Sequence, residues 1–174
     1  MKKLGFIVNP VAGIGGRVGL KGSDGKDIQK RAFELGAIPL APKRAQEALK
    51  PLLAIKDKVI LLTYPGIMGE KEAKELGFKT EAIGETTDNT TSEDTKNAAT
   101  RMRELGVDLI LFVGGDGTAR DVFEAIDGEV PVLGVPAGVK IHSGVFAISP
   151  RDAGALVLKY LLLTAPSPPA QALE

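Results

Sequence analysis

VDLILFVGGDGTARDVFE, residues 107–124, passes from an apolar run through a glycine turn into a helical pattern. Leu109 to Val113 is short, nearly all apolar, and bounded by an Asp and two glycines. Such a run suits a strand buried on both faces of a parallel sheet. Gly114-Gly115-Asp116-Gly117-Thr118 must then turn tightly, and its glycines let a ligand approach the backbone with no Cβ in the way. From about Thr118 the spacing of Val122, Phe123 and Ile126 predicts a helix with these three on one face. Strand, glycine turn and helix start, in that order, gather free N–H groups and the positive end of a helix dipole into an anion site. Asp116 is out of place in a loop that only binds phosphate. It makes sense there as a magnesium ligand or as a base for a hydroxyl nucleophile. A DG-type turn with a cap is the plain alternative, which the flanking strand and helix disfavour.

On either side of this stretch, strand and helix signals alternate. Leu4–Val8 reads as a first strand, followed by Asn9-Pro10-Val-Ala-Gly13-Ile-Gly15-Gly16-Arg17, a glycine-rich loop with neither the Walker A nor the dinucleotide-fingerprint spacing. Arg17 and Lys21 are candidate phosphate contacts, with ordinary solvated charges as the equal alternative; long unstructured loops in compact domains usually bind something. Asp24–Leu35 reads as a helix with Ile28, Ala32, Phe33 and Leu35 inward and Gly36 at its C-cap. Lys43–Ile55 reads as a second helix, kinked at Pro51. Val59–Thr63 is a buried strand, and Tyr64-Pro65-Gly66 turns at its carboxyl end, where open α/β sheets place ligands. A short helix over Glu70–Leu76 and an edge strand over Phe78–Ile83 follow. Thr86–Thr91 (TTDNTT) reads as a plain linker rather than a ligand contact, and Thr91 or Ser92 caps a helix running to Leu105.

Beyond the central helix, Val130–Val135 is another strand. Pro136-Ala137-Gly138-Val139-Lys140 after it should lie beside the Asp116 turn and bring Lys140 near a phosphate, or leave it solvated. His142-Ser143 lacks a third member for a catalytic triad. Pro150–Leu163 is the last helix, apolar at Ala153, Leu156, Val157, Tyr160 and Leu161. The expected fold is a doubly wound parallel α/β sheet with right-handed crossovers over residues 1–163, and residues 164–174 form a Pro-rich tail whose closing Leu-Glu reads as a cloning remnant.

The totals narrow the function classes. The chain has 174 residues, 22 basic and 22 acidic, no cysteine and one histidine, His142. Disulfides, thiolate chemistry and a zinc cluster are excluded. Zero net charge and few aromatics argue against a nucleic-acid partner. No apolar run approaches the roughly 18 residues of a membrane span, and no signal peptide is evident, so a cytoplasmic protein without membrane contact is expected.

Gly114-Gly115-Asp116-Gly117-Thr118, with Arg120-Asp121-Val122 after it, resembles the GGDGT signature of the NAD kinase and diacylglycerol kinase superfamily. Asn9-Pro10 and its glycines resemble that superfamily's opening loop. Together with Val18–Gly25 and Gly134-Val-Pro136-Ala-Gly138-Val-Lys140, they are similar to the ATP-NAD kinase-like proteins grouped with AcoX. The resemblance spans Leu4 to about Pro150. It implies an NAD kinase-like phosphotransferase that moves a phosphoryl group from ATP or polyphosphate to the 2′-hydroxyl of NAD, with Mg²⁺, and it implies that Asp116 deprotonates or orients that hydroxyl and helps place the metal. The candidate cofactor-binding residues are then Asn9, Pro10, Gly13, Gly15, Gly16, Arg17, Lys21, Gly114, Gly115, Gly117, Thr118, Arg120 and Lys140. Two departures stand out. The β-rich second domain of NAD kinases, with its Asn-Glu or Asn-Asp pair, has no counterpart here, and Pro136–Ser143 matches only the AcoX-like branch. A fragment or natural half of a larger kinase is therefore expected, with small-molecule nucleotides as partners and a homo-oligomer left open. The other readings are a nucleotide-binding module without turnover and a lipid or sugar kinase sharing the same turn.

Overall fold

The computed structural model describes residues 1–21, 25–138 and 141–164. Five strands form one sheet: β1 (Lys2–Val8), β2 (Val59–Thr63), β3 (Thr80–Ala82), β4 (Leu109–Gly114) and β5 (Val132–Pro136). Their order is β3-β2-β1-β4-β5 and every neighbouring pair is parallel. β4 is buried along its whole length, as a both-faces-covered strand must be.

Residues alternate between two cores along each strand. Leu4, Phe6 and Val8 of β1 and Leu109, Leu111 and Val113 of β4 face one cluster. There they meet α2 (Ala41–Leu49), α3 (Glu70–Glu75) and α6 (Pro150–Leu163). Ile7, Ile110 and Phe112 face the other cluster. That face is covered by α4 (Ser92–Glu104) and α5 (Asp116–Ile126), through Ala98, Met102, Val122 and Ile126. A third, small cluster holds α1 (Lys26–Glu34) against the loop after β1, through Ile14, Ala32 and Ala37.

Helix ends follow local chemistry. Asp94 reaches back to accept the Thr91 N–H at 2.8 Å, half of a capping box. Ser149 Oγ accepts from Asp152 N at 3.1 Å, and Pro150 occupies the first turn of α6. α2 and α6 cross where α6 has Gly154; a Cβ there would lie 2.0 Å from the Ala48 carbonyl oxygen.

Some boundaries and faces differ from the sequence expectations. The helix expected from Thr118 begins at Asp116. The helix expected over 43–55 begins at Ala41 and tightens into a 3-10 segment over Lys50–Ile55, because Pro51 has no N–H to give the α-ladder. Phe33, Leu35, Phe123 and Leu156, expected inward, are exposed. α1 is fixed mainly through Ala32, its one fully buried residue, so its remaining apolar side chains have no core to enter.

Glu72 is a buried carboxylate, 3% exposed, with Oε2 lacking a hydrogen-bond partner. Burial pushes its carboxyl above the ordinary range, against weaker lowering by backbone N–H groups at Gly69 and Glu72. A raised acid is best tolerated protonated, so its cost grows as pH rises through the folded value. Glu72→Gln keeps the backbone contact and removes the charge. It should stabilise the fold by roughly 1 kcal/mol at pH 7, since the amide still leaves one polar atom unpaired but no longer buries a charge. Denaturant melts at pH 7 and pH 4 check this; an equal gain at both would refute the titration.

Candidate functional site

The strand order reverses direction between β1 and β4, so the loops leaving their carboxyl ends run to opposite faces and open a crevice. A side-chain hydrogen bond spans it: Asn9 Nδ2, just past β1, donates to Thr118 Oγ1 in the first turn of α5 at 3.1 Å. Asn9 Oδ1 also accepts the Val11 N–H at 3.3 Å, an Asx turn that fixes the start of the loop. Thr118 is buried, and it fills the place a side chain on Gly114 would need: a Cβ there would meet the Thr118 Cβ and Oγ1 at 2.4 Å. Gly114 thus lets helix α5 close onto β4.

On one side of this bridge three loops meet. Gly13 has φ +74°, and a Cβ on it would sit 2.2 Å from the Ala137 carbonyl oxygen. The loop after β1 therefore touches the loop after β5 backbone to backbone. Asp116 faces this junction. One carboxylate oxygen accepts the His142 N–H at 2.9 Å and the other accepts the Ser143 N–H at 3.0 Å. The Ser143 and His142 N–H groups hold the Asp116 carboxyl below the usual carboxylate range. A depressed carboxyl contributes a stabilisation that is present above its unfolded pKa and lost as pH falls through the folded value. At neutral pH this tie is fully formed.

On the other side lies a cavity of about 630 Å³. Asn9, Pro10, Gly117, Thr118 and Arg120 line it, so five of the residues singled out from sequence converge there. Phe33 and Lys26 of α1, Ile67 and Met68 after β2, and Asp88–Ser92 complete much of the wall. Asp116 is not among the lining residues, nor are Gly13, Gly15, Gly16, Lys21, Gly114 and Gly115. Gly15 and Gly16 belong to a 3-10 turn at Gly16–Val18, with Gly15 at its N-cap. Lys21 is exposed. Lys140 and Asp24 lie outside the described residues, as does the 165–174 tail. Arg17 is placed in the backbone of that 3-10 turn.

Thr86–Thr91, expected as a linker, contributes Asp88 to Thr91 to the cavity wall. Turn-rich polar composition is the same in both cases. The capping box at Thr91, which fixes where α4 starts at the cavity's edge, is the available signal. Among the described residues no helix is long and apolar enough to cross a membrane, and no group of three or more His, Asp or Glu is placed to hold a metal ion.

No curated protein matches the chain. Among solved structures, a candidate diacylglycerol kinase from Bacillus anthracis str. Sterne is 18% identical, with a TM-score of 0.48, over 91% of this chain. This chain spans 41% of that protein's length. A metal-free periplasmic metal-binding protein variant from Candidatus Liberibacter asiaticus is 17% identical over 79% of this chain and 51% of its own, with a TM-score of 0.34. The C-terminal domain of a hydrogenase from Pyrococcus furiosus is 19% identical over 76% of this chain and 89% of its own, with a TM-score of 0.28. The ATP-NAD kinase N-terminal domain matches residues 4–162, nearly the whole described fold, and it includes both the Asn9 loop and the Asp116 turn. The chain belongs to the ATP-NAD kinase N-terminal domain family.

Proposed function

We propose that this domain binds a nucleotide phosphate chain at the β1–β4 crevice and takes part in phosphoryl transfer from ATP or polyphosphate to NAD. The observation that carries the reading is the 630 Å³ cavity at the strand-order reversal, entered by the first turn of α5. Gly117 and Thr118 put early-helix N–H groups at its edge, and Arg120 adds a cation. Phosphoryl transfer asks a protein mainly for positioning and charge neutralisation, which these groups supply.

Asp116 suits an orienting acceptor better than a strong base. Its lowered pKa keeps it ionised at neutral pH and makes it a weak proton acceptor. The family implies magnesium. Asp88 and Asp121 line the cavity, while Asp116 lies off its wall with both oxygens taken by backbone N–H groups, a donor set that suits an ion arriving on phosphates with its own waters rather than one caged by protein. Asp88 or Asp121 would supply the protein oxygen. The bound ion would neutralise charge on the phosphates.

A second reading is favoured by one observation: the Asp116 carboxylate is engaged by the His142 and Ser143 amides and lies off the cavity wall. On that reading the domain binds nucleotide without turnover. Calorimetry with ATP and NAD, beside a phosphorylation assay with NAD, a diacylglycerol and a sugar as acceptors, separates these. NADP formation is the expected result. Binding with no product supports the module, and no binding of either nucleotide at millimolar concentration removes both readings.

A further inference from the structure

Two large apolar side chains stand open in the wall of a cavity that is otherwise largely polar. Phe33 is 49% exposed and Ile67 is 44% exposed, and both line it. Single exposed hydrophobics are ordinary; two from separate elements converging on one cavity are not scattered in that sense. Phe33 is the far end of a stripe. Lys26, Gln29 and Phe33 all line the cavity, and their spacing of three and four residues places them on one face of α1. From Lys26 to Phe33 the helix axis advances about 10 Å, at roughly 1.5 Å per residue. The stripe therefore runs from a cation, past an amide, to an aromatic ring. Arg120 and the start of α5 put more positive character in the same cavity.

We propose that α1 reads a nucleotide lengthwise: Phe33, with Ile67, takes the aromatic base, while Lys26 and Arg120 take the phosphates. The ligand class is a nucleoside diphosphate or a larger molecule containing one. This rests on the nucleotide reading above and adds which end of the ligand is recognised by what. A bare polyphosphate satisfies the cations and leaves both apolar side chains in water. A nucleotide covers them, and stacking on an aromatic ring is a sizeable share of affinity where bases are bound without hydrogen-bond readout.

The sequence contains no tryptophan, so Phe33→Trp places a single indole fluorophore in the cavity wall. Phe33 is half exposed on a surface helix, and the fold does not depend on its side chain. Titration with ADP is expected to change the Phe33→Trp emission, and titration with tripolyphosphate to leave it nearly unchanged. By calorimetry, Phe33→Ala should weaken ADP binding about tenfold without altering tripolyphosphate binding, whereas Lys26→Ala should weaken both. If the parent chain binds ADP and Phe33→Ala binds it equally well, the assignment of the base end is overturned while the nucleotide reading stands. Tripolyphosphate bound as tightly as ADP overturns it in the same way. If the parent chain binds neither ligand at millimolar concentration, both fall together.

Discussion

Asp116→Asn is expected to lower NAD phosphorylation by 100-fold or more, about the effect of removing a positioned acid–base or orienting group. The change is nearly isosteric, so the loss would not come from a cavity. Asparagine keeps one acceptor oxygen and turns the other position into an N–H₂ donor. In the structure both carboxylate oxygens accept N–H groups from His142 and Ser143. An amide can satisfy only one of these donors, and it sets a donor against the other. The variant therefore loses a negative charge at the junction of the loops after β1 and β5 and also loosens the loop after β5. Two readouts divide these effects. A fall in kcat with nucleotide affinity retained marks a role in the transferred proton or its acceptor. Faster proteolysis near residues 141–143 with kcat unchanged marks a tie and nothing more, and equal rates would remove Asp116 from the chemistry.

Gly154→Ala should destabilise the fold by about 2 kcal/mol or more, although propensity alone predicts the opposite. Alanine in a helix interior gains about 1 kcal/mol over glycine. The added methyl, however, would lie 2.0 Å from the Ala48 carbonyl oxygen and 2.9 Å from the Pro51 ring. Neither neighbour is the tip of a flexible side chain, so α6 must back away from α2 along its buried face of Ala153, Val157 and Leu161. Overpacking of this kind costs roughly 1–3 kcal/mol and rises where backbone must move. For a domain of this size a net loss of about 2 kcal/mol lowers Tm by roughly 4–8 °C. Calorimetric melting checks it; an unchanged or higher Tm would mean that the two helices separate at no cost.

Much of this architecture is readable in the chain because parallel strands buried on both faces advertise themselves. Val59–Thr63 matches its expected limits, and Leu109–Val113 extends by one residue. Pro150–Leu163 is bounded as read, since Ser149-Pro150 is both a cap and a forced start. Gly36, Gly77 and Gly106 end helices with positive φ, which is the reason glycine stands there. What escapes is whatever depends on neighbours distant in sequence. Asp116 meets backbone N–H groups at His142 and Ser143, and main-chain donors carry no residue-type signature. Gly13 reads as a phosphate-loop glycine; in the structure its bare α-carbon is what Ala137 packs against. Phe33 fits an inward helical face by period, but period does not say whether a core or an open cavity lies beyond it.

The register of the sheet has a consequence for how the chain is made. Leu4 lies opposite Leu61 in β2 and opposite Leu109 in β4. During synthesis β1 can zip to β2 early, but its other edge stays unsatisfied until β4 has left the ribosome. At roughly 5–20 residues per second that interval is on the order of 5–20 s after β1 itself appears. Throughout it the nascent chain carries an apolar ribbon, Leu4 to Val8, with one row of hydrogen-bonding groups open to any passing strand. Raising chaperone supply during translation is therefore expected to increase the soluble fraction, and comparing soluble yield with and without added chaperone checks it.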